Sequence, residues 1–129
     1  MKIKHHWELD VYRLSVKAAM EIFDASRTFP KEETYSLTDQ IRRSSRAVSS
    51  AIGEAWRRRR YEAVFLNKLN EAEGEAAETQ VWLEYAVKCG YLAVSHARDL
   101  HRTYDHIIGK PVNMINRPEP WLLRKTVVQ

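Results

Sequence analysis

Between Tyr61 and Lys88, Phe65, Leu69, Ala72, Ala76, Thr79, Leu83 and Ala86 recur at alternating steps of four and three. That spacing keeps one side of an α-helix turned towards a partner, a heptad seam, and it is the clearest signal in the chain. Cys89-Gly90 follows, with Gly90 placed to take the left-handed conformation that closes a helix. The spacing predicts three further helices. The first runs from His5 or His6 to Arg27 on Leu9, Tyr12, Val16, Ala19 and Phe23, and Thr28-Phe29-Pro30 ends it. The second spans Leu37 to Arg57, with Leu37, Ile41, Ser44 or Ser45, Val48, Ile52 and Ala55 facing inward. Ser36 and Asp39 before it have capping-box spacing, with Asp standing for the usual Glu or Gln. The fourth begins near Ala93 and uses Ala97, Leu100, Tyr104, Ile107 and Ile108. Gly109 and Pro111 are expected to kink or end it, with Val112, Met114 and Ile115 as a last turn.

No alternating strand pattern competes with these helices. Short connectors between four amphipathic helices imply an all-α protein, an antiparallel up-down-up-down four-helix bundle over residues 1–116. Residues 117–129 form a tail in which Arg117-Pro118-Glu119-Pro120 is a stiff connector. Trp121-Leu122-Leu123 beyond it is an apolar patch, expected to dock on a neighbouring protomer or an external partner, the alternative being a disordered end.

Composition narrows the class. The chain has 129 residues, enough to bury a core without disulfides or metal. Its single cysteine, Cys89, permits no internal disulfide, and no apolar run approaches the roughly 20 residues of a membrane helix. With no signal-peptide pattern at the amino terminus, a soluble cytoplasmic protein is expected. The net charge of +4 and pI near 9.3 permit an anionic partner without requiring one.

The distribution of charge changes that picture. From Arg42 to Arg60 there are seven arginines (Arg42, Arg43, Arg46, Arg57, Arg58, Arg59 and Arg60) against one acid, Glu54. From Tyr61 to Ala86 the balance reverses, with six glutamates against Lys68 alone. A guanidinium fork suits phosphate, so the seven arginines are candidate nucleic-acid contacts. Two other readings stay open: pairing of Arg42, Arg43 and Arg46 with glutamates of the third helix, in the same or a neighbouring protomer, or plain solvated charge. Trp56 and Tyr61 bracket the run and offer stacking surfaces, although Trp56 follows the inward Ala55 and is expected in the core or an interface.

Other chemistry finds no foothold. His96, His101 and His106 are spaced by five, so successive rings point about 140° apart. His5 and His6 sit on a terminus expected to fray, and no Glu-x-x-His pair occurs. Glu71, Glu75 and Glu78 form a stripe that reads as a solvated or ion-paired face. No nucleophile elbow or phosphate-cradling glycine loop is present. The expectation is a protein without catalytic activity, metal or cofactor.

One ordered set of residues adds to this. Phe29-Pro30 with Glu33, Leu37-Thr38, Gln40-Ile41-Arg42-Arg43, Ser44 to Ala51 with Ile52 and Glu54, Phe65, and a Glu/Ala-rich helix ending in Gly90-Tyr91-Leu92 follow one another in the chain. Over about residues 5–116 this order resembles the four-helix-bundle proteins encoded in intervening sequences of bacterial 23S ribosomal RNA genes. The Avd-type accessory proteins of diversity-generating retroelements are similar to these. The resemblance implies a non-catalytic homopentamer. In the retroelement branch it also implies binding of nucleic acid, RNA or DNA, and of a reverse transcriptase through a basic surface. The alternative is an interaction adaptor whose basic face meets an acidic protein or a neighbouring subunit.

Overall fold

A computed structural model describes residues 3–123, so residues 124–129 of the tail lie outside it. Four helices carry the fold: α1, Asp10–Ser26; α2, Leu37–Arg57; α3, Glu62–Lys88; and α4, Val94–Asn116. Short 3₁₀ turns at His6–Glu8, Lys31–Glu33 and Glu119–Trp121 complete the described elements, with no strand among them. Each helix packs on the next, and α1 closes against α4. At one end the α1–α2 loop meets the α3–α4 loop, where the rings of Phe29 and Tyr91 lie 5.7 Å apart. At the other end the α2–α3 turn meets the segment before α1 and the segment after α4. That alternation is the up-down-up-down bundle.

The heptad seam organises the interior. All seven predicted positions of α3, from Phe65 to Ala86, are buried. Ala72, Ala76 and Ala86 are small enough to let the neighbouring helices close on α3, while Phe65, Leu69 and Leu83 fill the volume. Burying each of these larger side chains contributes roughly 1.5–3 kcal/mol. Across from it, α2 has the predicted span and buries every position assigned inward. Two hydroxyl pairs lie among the apolar side chains: Thr79 donates to Ser44 at 2.8 Å, and Ser15 and Ser49 are 2.9 Å apart.

Three local readings need correction. The first helix starts at Asp10, because Leu9 is extended (φ −72°, ψ 129°) and buries its side chain before the helix begins. Its inner face is then Val11, Ser15, Ala18, Ile22 and Ser26, one position away from the predicted stripe, and Val16 is exposed. Ser36 does not cap α2 with its side chain. Its hydroxyl donates to Glu33 Oε1 at 2.6 Å, and the Tyr91 hydroxyl donates to Glu33 Oε2 at 2.9 Å. The bond from Ser36, then that from Tyr91, holds the Glu33 carboxyl below the usual carboxylate range. Finally, of the two outcomes expected at Gly109 and Pro111, an end is excluded: α4 runs on through Val112, Met114 and Ile115, the expected last turn, to Asn116. Pro111 is itself buried, and Met114 beyond it seats against Ala55, Phe65 and Leu69, so packing outweighs the missing backbone donor.

Gly90 behaves as its sequence position suggests, with φ +78°. The Tyr91 amide donates to Ala86 and the Gly90 amide to Val87, both at 2.9 Å, which completes a Schellman closure of α3. The same substitution should therefore have opposite signs at two glycines. Gly90→Ala forces a side chain into the left-handed region and should cost about 1–2 kcal/mol. Gly74 lies inside α3 with open space where a Cβ would sit, so Gly74→Ala should gain about 0.5–1 kcal/mol. Urea unfolding midpoints of the two variants check this pair; equal shifts would contradict it.

Candidate nucleic-acid interface

Trp56 lies near the end of α2 and is 2 % exposed. Its burial continues the inward row of Ala51, Ile52 and Ala55, but an indole carries a donor that needs a partner. Nε1 donates to the Lys4 carbonyl at 3.1 Å and so holds the segment before α1 against the end of α2. On the indole face sits the Arg59 guanidinium, 3.4 Å from the ring centroid, while Arg59 Nε donates to the Trp56 carbonyl at 2.7 Å. Trp121 meets the same indole edge-on at 6.4 Å, and the Leu123 amide donates to the Arg59 carbonyl at 3.1 Å. The expected docking of Trp121-Leu122-Leu123 on another protomer or partner is therefore corrected. Through Leu123 this stretch packs on its own bundle, because the Trp56 and Arg59 surface lies within its reach.

The seven arginines do not form one patch. Arg42 is half-buried: its Nε donates to Ser26 Oγ at 2.8 Å and its guanidinium lies 4.7 Å over the Phe23 ring. Arg27 and Arg46 approach the same ring at 5.6 and 5.9 Å. Arg43 is exposed and makes a 3.8 Å pair with Asp39 one turn earlier. Arg59 is committed to Trp56, and its pKa is lowered by burial first and by Arg57 second. Arg57, Arg58 and Arg60 are exposed and make no ion pair among the described residues. Arg46 and Arg57 are both exposed on α2, eleven residues apart. About three turns return Arg57 to nearly the same side, about 16 Å further along.

Within the chain, none of these arginines pairs with a glutamate of α3 among the described residues. Lys68 takes that role, reaching Glu54 at 3.0 Å and Glu71 at 3.1 Å. The ammonium beside it holds the Glu54 carboxyl below its ordinary value. Glu75 is different. Burial first, then the neighbouring Glu78 and Glu71, push its carboxyl up, and Arg43 offsets this only in part.

A cleft of about 860 Å³ opens between the segment before α1 and the outer side of α2. Lys4, His5, His6 and Trp7 form one wall, and Arg57 and Arg58 stand at the other. Sequence reasoning missed this wall, having treated His5 and His6 as a fraying end. The segment is fixed instead by Glu8, whose carboxylate accepts the amides of Lys4 and His5 at 2.8 and 2.7 Å. The three-residue spacing from His5 to Glu8 was the available signal, since it matches the reach of a capping glutamate. Gly53 matters here as well: the His6 ring lies 3.6 Å from where a Cβ would be. Of the two aromatic residues bracketing the arginine run, Trp56 is in the core and Tyr61 is exposed at the start of α3.

A family model described as 23S rRNA-intervening sequence protein matches residues 7–113. The chain belongs to this family. It is also similar to the crystal structure, at 1.70 Å, of a protein of unknown function from the S23 ribosomal protein family of Bacteroides thetaiotaomicron. The two share 27% identity and superpose with a TM-score of 0.73, over 81% of this chain and 97% of that one. No curated protein matches the chain.

In this member of the 23S rRNA-intervening sequence protein family the arginine run thus divides between structure and solvent. Arg59→Ala removes a cation from an aromatic face and a hydrogen bond to a backbone carbonyl, and should cost about 1–2 kcal/mol of stability. Arg57→Ala and Arg58→Ala touch only exposed side chains and should stay within about 0.5 kcal/mol. Thermal unfolding of the three single variants distinguishes them; equal losses would contradict the division.

Proposed function

We propose that this protein is a non-catalytic, self-assembling bundle that binds structured RNA or DNA through the basic end of α2. The observation that carries the reading is the exposure of Arg57, Arg58 and Arg60, which form no ion pair among the described residues, on a turn fixed by Trp56 and Arg59. The helix dipole favours a cation in the last turn, and Arg57 meets that preference. Further cations beside it repel one another and add nothing to the fold, whereas a phosphate backbone would receive them all. In its retroelement branch the resemblance implies a reverse transcriptase as partner of a basic surface, and that partner belongs to the proposal.

Binding should weaken as salt rises, with log K falling linearly in log salt for a labelled RNA hairpin and a DNA duplex. Replacing Arg57, Arg58 and Arg60 together by Ala should flatten that slope by about one for each phosphate no longer neutralised. An unchanged slope would move the function to a protein partner.

Self-assembly is the other half of the proposal. The resemblance implies five protomers. Crowding of Glu71, Glu75 and Glu78 supports an interface there, because a cation from a neighbouring subunit would relieve their repulsion. Light scattering should give the mass of about five 15.1-kDa protomers. A monomer mass would overturn it.

A further inference from the structure

We propose that the cleft between the amino-terminal segment and α2 receives an unpaired nucleotide, its base against Trp7 and its phosphate on Arg57 and Arg58. This rests on the nucleic-acid reading above and names the part of a strand that the surface selects. The volume, about 860 Å³, falls inside the range of about 300–1,000 Å³ typical of ligand clefts. A single base with its sugar and phosphate needs such a concave space; the outside of a duplex does not.

The walls have complementary chemistry. Trp7 is 54 % exposed. It already stacks in parallel with His5, ring centroids 4.2 Å apart and planes within 6°. His6 stands edge-on to Trp7 at 5.1 Å and edge-on to Tyr12 at 4.8 Å. A base added to this group extends an aromatic stack whose members are already positioned, so little ordering entropy opposes binding. Gly53 lets the His6 ring pack close against α2, and Ser50 offers a hydroxyl in the lining. Arg57 and Arg58 line the cleft from the end of α2, and Lys4 from the amino-terminal segment. The one carboxylate in the lining, Glu54, faces three cations there, Lys4, Arg57 and Arg58, so the cleft keeps a net positive charge.

A base in a duplex has both faces covered by its neighbours and cannot reach Trp7. The cleft should therefore separate strands with unpaired residues from fully paired ones, which a basic surface alone does not do. Either a free mononucleotide or an unpaired residue within a strand would present the same base-plus-phosphate chemistry.

The experiment is a titration at low salt, followed by tryptophan fluorescence and by anisotropy of labelled strands. The probes are a single-stranded RNA decamer, a blunt duplex of the same length, and adenosine and uridine monophosphates. The decamer should quench Trp7, a change absent in Trp7→Phe, and should bind about ten-fold or more tightly than the duplex. Trp7→Ala should weaken decamer binding roughly ten-fold, leave duplex binding unchanged, and be partly rescued in Trp7→Phe. Quenching by the monophosphates as strong as that by the decamer supports the site and assigns it to free nucleotides. Equal binding of decamer and duplex, indifferent to Trp7→Ala, overturns the cleft and leaves the basic surface standing. No salt-sensitive binding of any probe overturns both. As a check that needs no variant, a decamer carrying 5-iodouridine should photocrosslink to residues 4–12 of the unaltered chain. Crosslinks confined to other segments would overturn the assignment.

Discussion

One buried indole holds the candidate site together. Trp56 accepts the apolar packing due to its place on α2 and then commits its only donor to the Lys4 carbonyl, 52 residues earlier in the chain. Its face takes Arg59 and its edge takes Trp121. Three stretches that share no helix are thus fixed to one ring, and the geometry around them follows. The cleft has an aromatic wall because Lys4 is held there, and the α2–α3 turn keeps one shape because Arg59 lies flat on the indole.

This arrangement sorts like charges into two kinds. Arg42 and Arg59 are bound to rings, a hydroxyl and a carbonyl, and their role is to shape the bundle. Arg57, Arg58 and Arg60 have no such role and remain in water. The acids divide similarly. Glu54 and Glu71 share Lys68, while Glu75 is half-buried beside two other carboxylates. The surface thus carries spare cations at one place and crowded acids at another.

How much of this was legible depended on how local each cause was. The third helix was readable because its seam uses residues whose size and polarity all point the same way. The first helix was misread by one position because Ser15 and Ser26 lie on its true inner face, and a stripe of hydrophobicity counts them as outside. At Pro111 the local sequence left a kink and an end both open, because nothing local shows that Met114 will seat on Phe65 and Leu69. The arginines were legible as a cluster but not as a division, since Arg59 differs from its neighbours only in lying over Trp56. The aromatic wall was lost for a similar reason: two histidines near a terminus look free until the donor of a distant tryptophan is assigned.

The hydroxyl pairs inside the bundle have a consequence for its mechanics. Helices joined only by aliphatic contacts can slip past one another by a turn and find a second packing of similar energy. Here Thr79 must face Ser44, and Ser15 must face Ser49. A shift of one turn along α2 would lose both bonds between helices, leaving Ser15, Ser44 and Thr79 only their bonds to the carbonyls of Tyr12, Ile41 and Glu75 in their own helices. The pairs thus act like detents on a sliding shaft. They favour one setting of α1, α2 and α3, and that setting places the end of α2 against the amino-terminal wall.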